Sequence, residues 1–179
     1  MLFRSETASD LGAPFVLTVG TPEPRKNLPR LVEAMRRRRA DGAPELLVHV
    51  GAHGWGGAQL PNEPWIRSLG RIDDATLRAL YRGCAAVAIP SLHEGSGLPA
   101  LEAFAAGAPV VAARSGALPE TCGDAAILID PHDPDAIASA IDEAIASRDR
   151  LVLAGRRRAE QASWVRAAAA CATVYQTIA

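Results

Sequence analysis

Short, uninterrupted apolar runs alternate with stretches of helical spacing along most of the chain, and this alternation leaves few folds open. Phe15 to Val19, Leu46 to Val50, Val87 to Pro90, Pro109 to Ala113 and Ala126 to Asp130 each have the length of a strand. Their nearly continuous apolar character suits strands covered on both faces, the condition of a buried parallel sheet. Between them, Leu28, Leu31, Val32 and Met35 repeat at helical spacing, as do Leu77, Leu80, Tyr81 and Cys84. Asp73 or Asp74 suits the start of the second of these helices, since a short side-chain oxygen can accept from the free amides of a first turn. A third helix is expected over Pro99 to Ala106. A fourth is capped by Asp133 and carries Ile137, Ile141 and Ile145 on one face. Trp65 to Ile72 reads as extended, ending near Gly70. The pattern predicts an α/β domain: a Rossmann-like, doubly wound parallel sheet flanked by helices. Residues 149–179, rich in arginine and alanine, read as one or two further helices, with Trp164 and Tyr175 as packing anchors. Residues 1–13 have no clear period and read as a tail or linker.

In such sheets ligands bind beyond the carboxyl ends of the strands. Three loops leaving strand ends carry unusual chemistry here: 20–27, 51–57 and 90–98. The loop at 90–98 is the most informative. It sits in Pro90 to Pro109, PSLHEGSGLPALEAFAAGAP, which runs from a strand through glycines to a helix expected to open at Pro99. Proline suits a first helical turn. A helix start presents unpaired N–H groups and the positive end of its dipole, which favours phosphate. Ser96, Gly97 and Leu98 form the expected cradle, with Gly97 permitting close backbone approach. Glu94 and Glu102 lie on either side and offer acceptors that suit hydroxyl-rich partners.

Other residues carry weaker signals. Arg25 and Lys26 follow the first strand; two adjacent cations form a solvated turn or meet an anion. Lys26 is the only lysine among 19 basic residues. Gly20 would let the same loop approach a ligand closely. His53 reads as structural or solvated, Trp55 and Trp65 as packing, and His93 as ambiguous. Glu94 has the alternative of a solvated loop carboxylate, and Glu102 that of a residue favourable to the helix dipole.

The chain's 179 residues suffice for one domain with a substantial core, and 49% of them are apolar. A formal net charge of −1 argues against a general nucleic-acid binder. No apolar run reaches the roughly 18 residues of a membrane span, and the start of the chain lacks the apolar segment of a secretory signal. Cys84, Cys122 and Cys171 are far apart and odd in number, which fits free thiols in a reducing, cytoplasmic setting. No metal-ligand spacing is present.

The element from Glu94 to Glu102, with the following GAPVVAARSGALPE, resembles the E-x7-E region of the retaining group 1 glycosyltransferases (family 4). The likeness covers residues 14–147 and concerns the C-terminal, donor-binding domain of their two-domain GT-B fold. It implies a nucleotide-sugar-binding domain over 14–179. It also implies that Glu102 accepts from the ribose hydroxyls of the donor and that Glu94 contacts the donor sugar. Lys26, with Arg25 as a second cation, would neutralise the diphosphate. Two departures are visible: Ser96 stands where the family commonly has an aromatic residue, and Thr21 where much of the family has arginine.

The resemblance therefore implies transfer of a sugar from a nucleoside diphosphate sugar, UDP- or GDP-linked, to an acceptor, with no cofactor or bound metal. The acceptor-binding N-terminal domain is absent from this sequence. It is expected in cis or trans and would bring any membrane association with it. Without it the domain is expected to be inactive. The alternative is a non-catalytic nucleotide-binding or partner subunit of a split transferase.

Overall fold

The computed structural model describes residues 11–52, 54 and 60–178. Six strands form one wholly parallel sheet: β1 (Phe15–Val19), β2 (Leu46–Val50), β3 (Ile66–Ser68), β4 (Ala86–Ile89), β5 (Val110–Ala113) and β6 (Ala126–Ile129). Their spatial order is β3-β2-β1-β4-β5-β6. The chain thus builds outward from β1 in one direction, then returns to β1 and builds outward through β4 in the other. The order reverses between β1 and β4, and the loops leaving these two strands part there to open a crevice.

The helices are α1 (Leu28–Ala40), α2 (Asp74–Gly83), α3 (Leu98–Ala106), α4 (Leu118–Cys122), α5 (Pro134–Ala146), α6 (Arg148–Gln161) and α7 (Trp164–Ile178). α1 packs with α5, and α3 packs with α2, α4 and α6, so two helical groups flank the sheet. The expected helical faces are the buried ones: Leu31, Met35, Leu80, Tyr81, Ile137 and Ile141 are all within the core. β4 and β5 are buried at every position, as strands covered on both sides must be. The Asp73 carboxylate accepts from the Thr76 amide at 2.8 Å and caps α2; Asp133 does the same for α5. Arg38, buried on α1, is held by Glu45 at 3.1 Å and Asp142 of α5 at 2.7 Å. Removal of Arg38 would leave the buried Glu45 carboxylate without its cation.

Several expectations need correction. The stretch 65–72 contributes only the three residues of β3. Trp65, just before it, is buried and lies under Arg39, whose guanidinium carbon is 5.6 Å from the ring centroid. α3 opens one residue earlier than expected, at Leu98, with Gly97 as its left-handed N-cap. The short helix α4 was not anticipated, nor was the single 3₁₀ turn Pro24–Lys26. Trp164 and Tyr175 anchor nothing in the described residues. They are 84% and 70% exposed, and α7 has no buried residue. All three cysteines are free; burial pushes the Cys84 thiol up to about 12 and that of Cys122 to about 11, so both are inert. His53 and Trp55 lie outside the described residues.

Candidate functional site

The crevice between β1 and β4 is built by two loops that hold each other. After β1 the chain turns at Gly20, makes the 3₁₀ turn that carries Arg25 and Lys26, and enters α1 through Asn27. After β4 it passes through Ser91 and Glu94 to the start of α3. The Leu92 amide donates to the Arg25 carbonyl at 2.7 Å, joining the loops directly. Asn27 completes the link. It adopts a left-handed conformation at φ 57°, and its side-chain amide donates to the carbonyls of Pro90 at 3.0 Å and Pro131 at 2.7 Å. One buried side chain thereby pins the loops after β1, β4 and β6 together. Sequence reasoning missed it, because its partners are distant in the chain.

At the centre is Glu94. Lys26 Nζ donates to Oε1 at 2.6 Å, the Ser91 hydroxyl donates to the same oxygen at 2.7 Å, and Arg25 Nη1 reaches Oε2 at 3.3 Å. Glu94 and Lys26 are only 7% and 9% exposed. The reading of Glu94 as a solvated loop carboxylate is therefore overturned, and so is that of Arg25–Lys26 as a merely solvated turn. Burial alone would raise the Glu94 pKa. The hydrogen bonds from Lys26 and Ser91 and the charges of Lys26 and Arg25 outweigh it and hold the carboxyl below its ordinary value. Arg25 is half-exposed and also bonds Glu23 at 2.8 Å. Two cations and two carboxylates thus balance.

The backbone of Glu94 is seated as firmly as its side chain. Its carbonyl accepts from the Ala117 amide at 2.9 Å. A Cβ on Gly116, which has φ +55°, would lie 2.5 Å from that carbonyl oxygen and 2.8 Å from the Glu94 nitrogen. Only glycine fits there. Gly20 is similarly restricted, since a Cβ would lie 2.9 Å from the Lys26 side chain at a φ of +136°. His49, a second residue missed from sequence, is buried on β2 and hydrogen-bonds the Gly20 carbonyl at 2.8 Å and the Ser68 hydroxyl at 3.0 Å. Burial holds its pKa below the ordinary value. It supports the turn at Gly20 from beneath.

Ser96, Gly97 and Leu98 lead into α3 at the same end of the sheet. The Ser96 carbonyl accepts from the Thr121 hydroxyl at 2.9 Å, so this turn rests on α4. A Cβ on Gly97 would meet Leu118 and Thr121 at 3.2 Å, with φ at +69°. Glu102, one turn further along α3, is exposed, and its Oε2 accepts from the Tyr81 hydroxyl at 2.9 Å. Arg25, Lys26 and Glu94 are thus in one cluster, and the Ser96–Leu98 turn leads out of its loop. Glu102 stands apart on the helix. No group of three His, Cys, Asp or Glu residues with metal-site geometry occurs among the described residues. No described helix is long and apolar enough to cross a membrane.

A parallel sheet with this strand order, and a charged cluster at its point of reversal, make this a Rossmann-like, doubly wound domain with a candidate ligand site at the switch point. The match to known proteins makes the class specific. Residues 2–162 match the family described as glycosyl transferases group 1, and the chain belongs to that family. It is 36% identical over 161 residues to the O-antigen chain mannosyltransferase B of Escherichia coli, covering 84% of this chain and 42% of that protein. It is 37% identical over 169 residues to the MMP alpha-(1->4)-mannosyltransferase of Mycolicibacterium hassiacum, covering 86% and 40%. Among solved structures, it is similar to a sucrose-phosphate synthase from Thermosynechococcus elongatus, with a TM-score of 0.77 and 28% identity over 93% of this chain and 45% of that one. The chain thus spans less than half the length of the relatives it matches.

Proposed function

We propose that this chain is the donor-binding domain of a retaining glycosyltransferase, which moves a sugar from a nucleoside diphosphate sugar to an acceptor. The observation that carries the reading is the Lys26–Glu94–Arg25 cluster at the sheet's point of reversal, where a doubly wound domain takes its ligand. Departure of a sugar leaves negative charge on a diphosphate. Fixed cations aimed at developing charge are commonly the largest catalytic contribution. Lys26 is held in place for that role. Arg25, half-exposed and shared between two carboxylates, has the freedom to turn towards an arriving phosphate. The turn at Ser96–Leu98 and the start of α3 supply backbone amides to the same group. Gly20 keeps the opposite loop close, Glu94 meets the sugar, and Glu102 meets the ribose.

The part of the relatives that this chain lacks would supply the acceptor and the second wall of the cleft, in cis or in trans. Transfer requires both reactants to be held and water to be excluded. The chain alone is therefore expected to bind donor nucleotide and to transfer little sugar. A soluble, cytoplasmic location, with membrane contact made through the missing part, fits the same reading.

Calorimetric titration with UDP, GDP, ADP and dTDP, repeated on Glu102→Ala, tests it. Binding of one nucleotide, weakened by the substitution, is the expected result and names the base. Absence of binding to all four by the chain, both alone and with an acceptor domain supplied, would overturn the reading.

A further inference from the structure

We propose that Tyr81 is a positioning residue for the donor ribose: its buried hydroxyl fixes one oxygen of Glu102 and so presents the other to the sugar of the nucleotide. The inference rests on the ribose-binding reading of Glu102 and extends it to a residue on a different helix. Three observations support it. Tyr81 is 1% exposed, with its ring inside the core beneath α3, so its hydroxyl has little freedom of direction. That hydroxyl donates to Glu102 Oε2 at 2.9 Å, and among the described residues no other side chain is hydrogen-bonded to Glu102. Glu102 itself is exposed, on the wall of a groove of about 320 Å³ between α2 and α3 that Arg78 and Arg82 also line.

The chemistry follows from this placement. A lone glutamate on a helix surface samples several rotamers, and ordering it on binding costs side-chain entropy. A buried donor that engages one carboxylate oxygen selects one rotamer before the ligand arrives, which is preorganisation. The other oxygen keeps its lone pairs for a vicinal diol. Tyr81 also keeps Glu102 from turning to the neighbouring arginines of the groove. Burial, then the charge of Glu102 and the hydrogen bond to it, push the Tyr81 phenol far above its ordinary pKa, so it remains a donor throughout the working pH range.

The test uses UDP and GDP, each in the ribose and the 2′,3′-dideoxyribose form, titrated into the whole chain and its variants. Tyr81→Phe retains the ring and hence the packing; a thermal melt checks that it folds. The expected result is that the nucleotide bound by the unaltered chain loses about three- to tenfold in affinity with Tyr81→Phe, as one hydrogen bond to a charged group allows. Its dideoxy form should lose nothing. In a Glu102→Ala background, adding Tyr81→Phe should change neither. Equal losses for the ribose and dideoxy forms, or full retention of the preference for ribose, would overturn the proposal and leave the role of Glu102 intact. If the unaltered chain bound both forms equally, or bound neither even with an acceptor domain supplied, the reading of Glu102 itself would fall, and the proposal with it.

Discussion

The two glutamates of one motif live in different physical worlds. Glu94 is buried, takes donors on both oxygens from three side chains, and has its backbone wedged against Gly116. Glu102, eight residues further along the chain, is exposed and takes a single bond from Tyr81. Similar side chains at a fixed spacing therefore serve unlike purposes. Glu94 belongs to the framework of the crevice, whereas Glu102 is exposed and contributes little to holding the fold. Changes at the first should cost stability and binding together, and changes at the second should separate them.

The largest expected effect comes from Lys26→Ala. It leaves the Glu94 carboxylate buried with its closest cation gone, and destabilisation of about 2–4 kcal/mol is expected, less than for a fully isolated pair because Arg25 and Ser91 remain. Chemical denaturation measures the loss, and nucleotide affinity should fall at least about tenfold in the same protein. An unaltered unfolding midpoint would break the comparison at its firmer end. Next is Gly116→Ala, which forces a side chain against the Glu94 backbone at a positive φ and should cost about 2 kcal/mol. It touches nothing at Glu102, so any remaining binding should still depend on the ribose.

Acid should affect the two carboxylates unequally. Glu94 has a lowered pKa in the folded state. Its contribution is complete above the unfolded value, about 4.3 for a glutamate, and is lost as pH falls through the folded value. Melting temperature followed from pH 7 to pH 3 should show a shallower acid limb in Glu94→Gln than in the unaltered chain. Parallel curves would remove Glu94 from the acid response. The smallest expected effect on stability is that of Glu102→Ala, about 1 kcal/mol, since only the bond from Tyr81 is lost and the exposed position lets water approach the freed hydroxyl. The same substitution should still weaken nucleotide binding, which is the separation that the comparison requires.

How much of this was legible in the sequence depended on the range of the interactions involved. β1 and β2 span the expected residues, because a run of five residues that is apolar or β-branched throughout in β1, and broken only by His49 in β2, specifies a buried strand locally. The helical faces were legible for the same reason. The pairing of Arg25 and Lys26 with Glu94 was accessible only through topology: both loops leave strands that become neighbours where the order reverses. Asn27 was not legible, since the two carbonyls it meets lie 63 and 104 residues away. His49 looked like any strand residue until Gly20 and Ser68 were placed around it. Trp164 and Tyr175 show the opposite error. Large aromatics at helical spacing read as core, but nothing among the described residues covers them.

That uncovered helix has a consequence for the time scale on which the chain holds its shape. α7 is 15 residues long with no buried residue. A helix of roughly that length is marginal in water when tertiary packing gives it nothing. Its amides should therefore exchange with solvent deuterium within seconds to minutes, by fraying that leaves the sheet intact, while those of β4 and β5 exchange only through global opening. The chain is expected to end, kinetically, near Gln161.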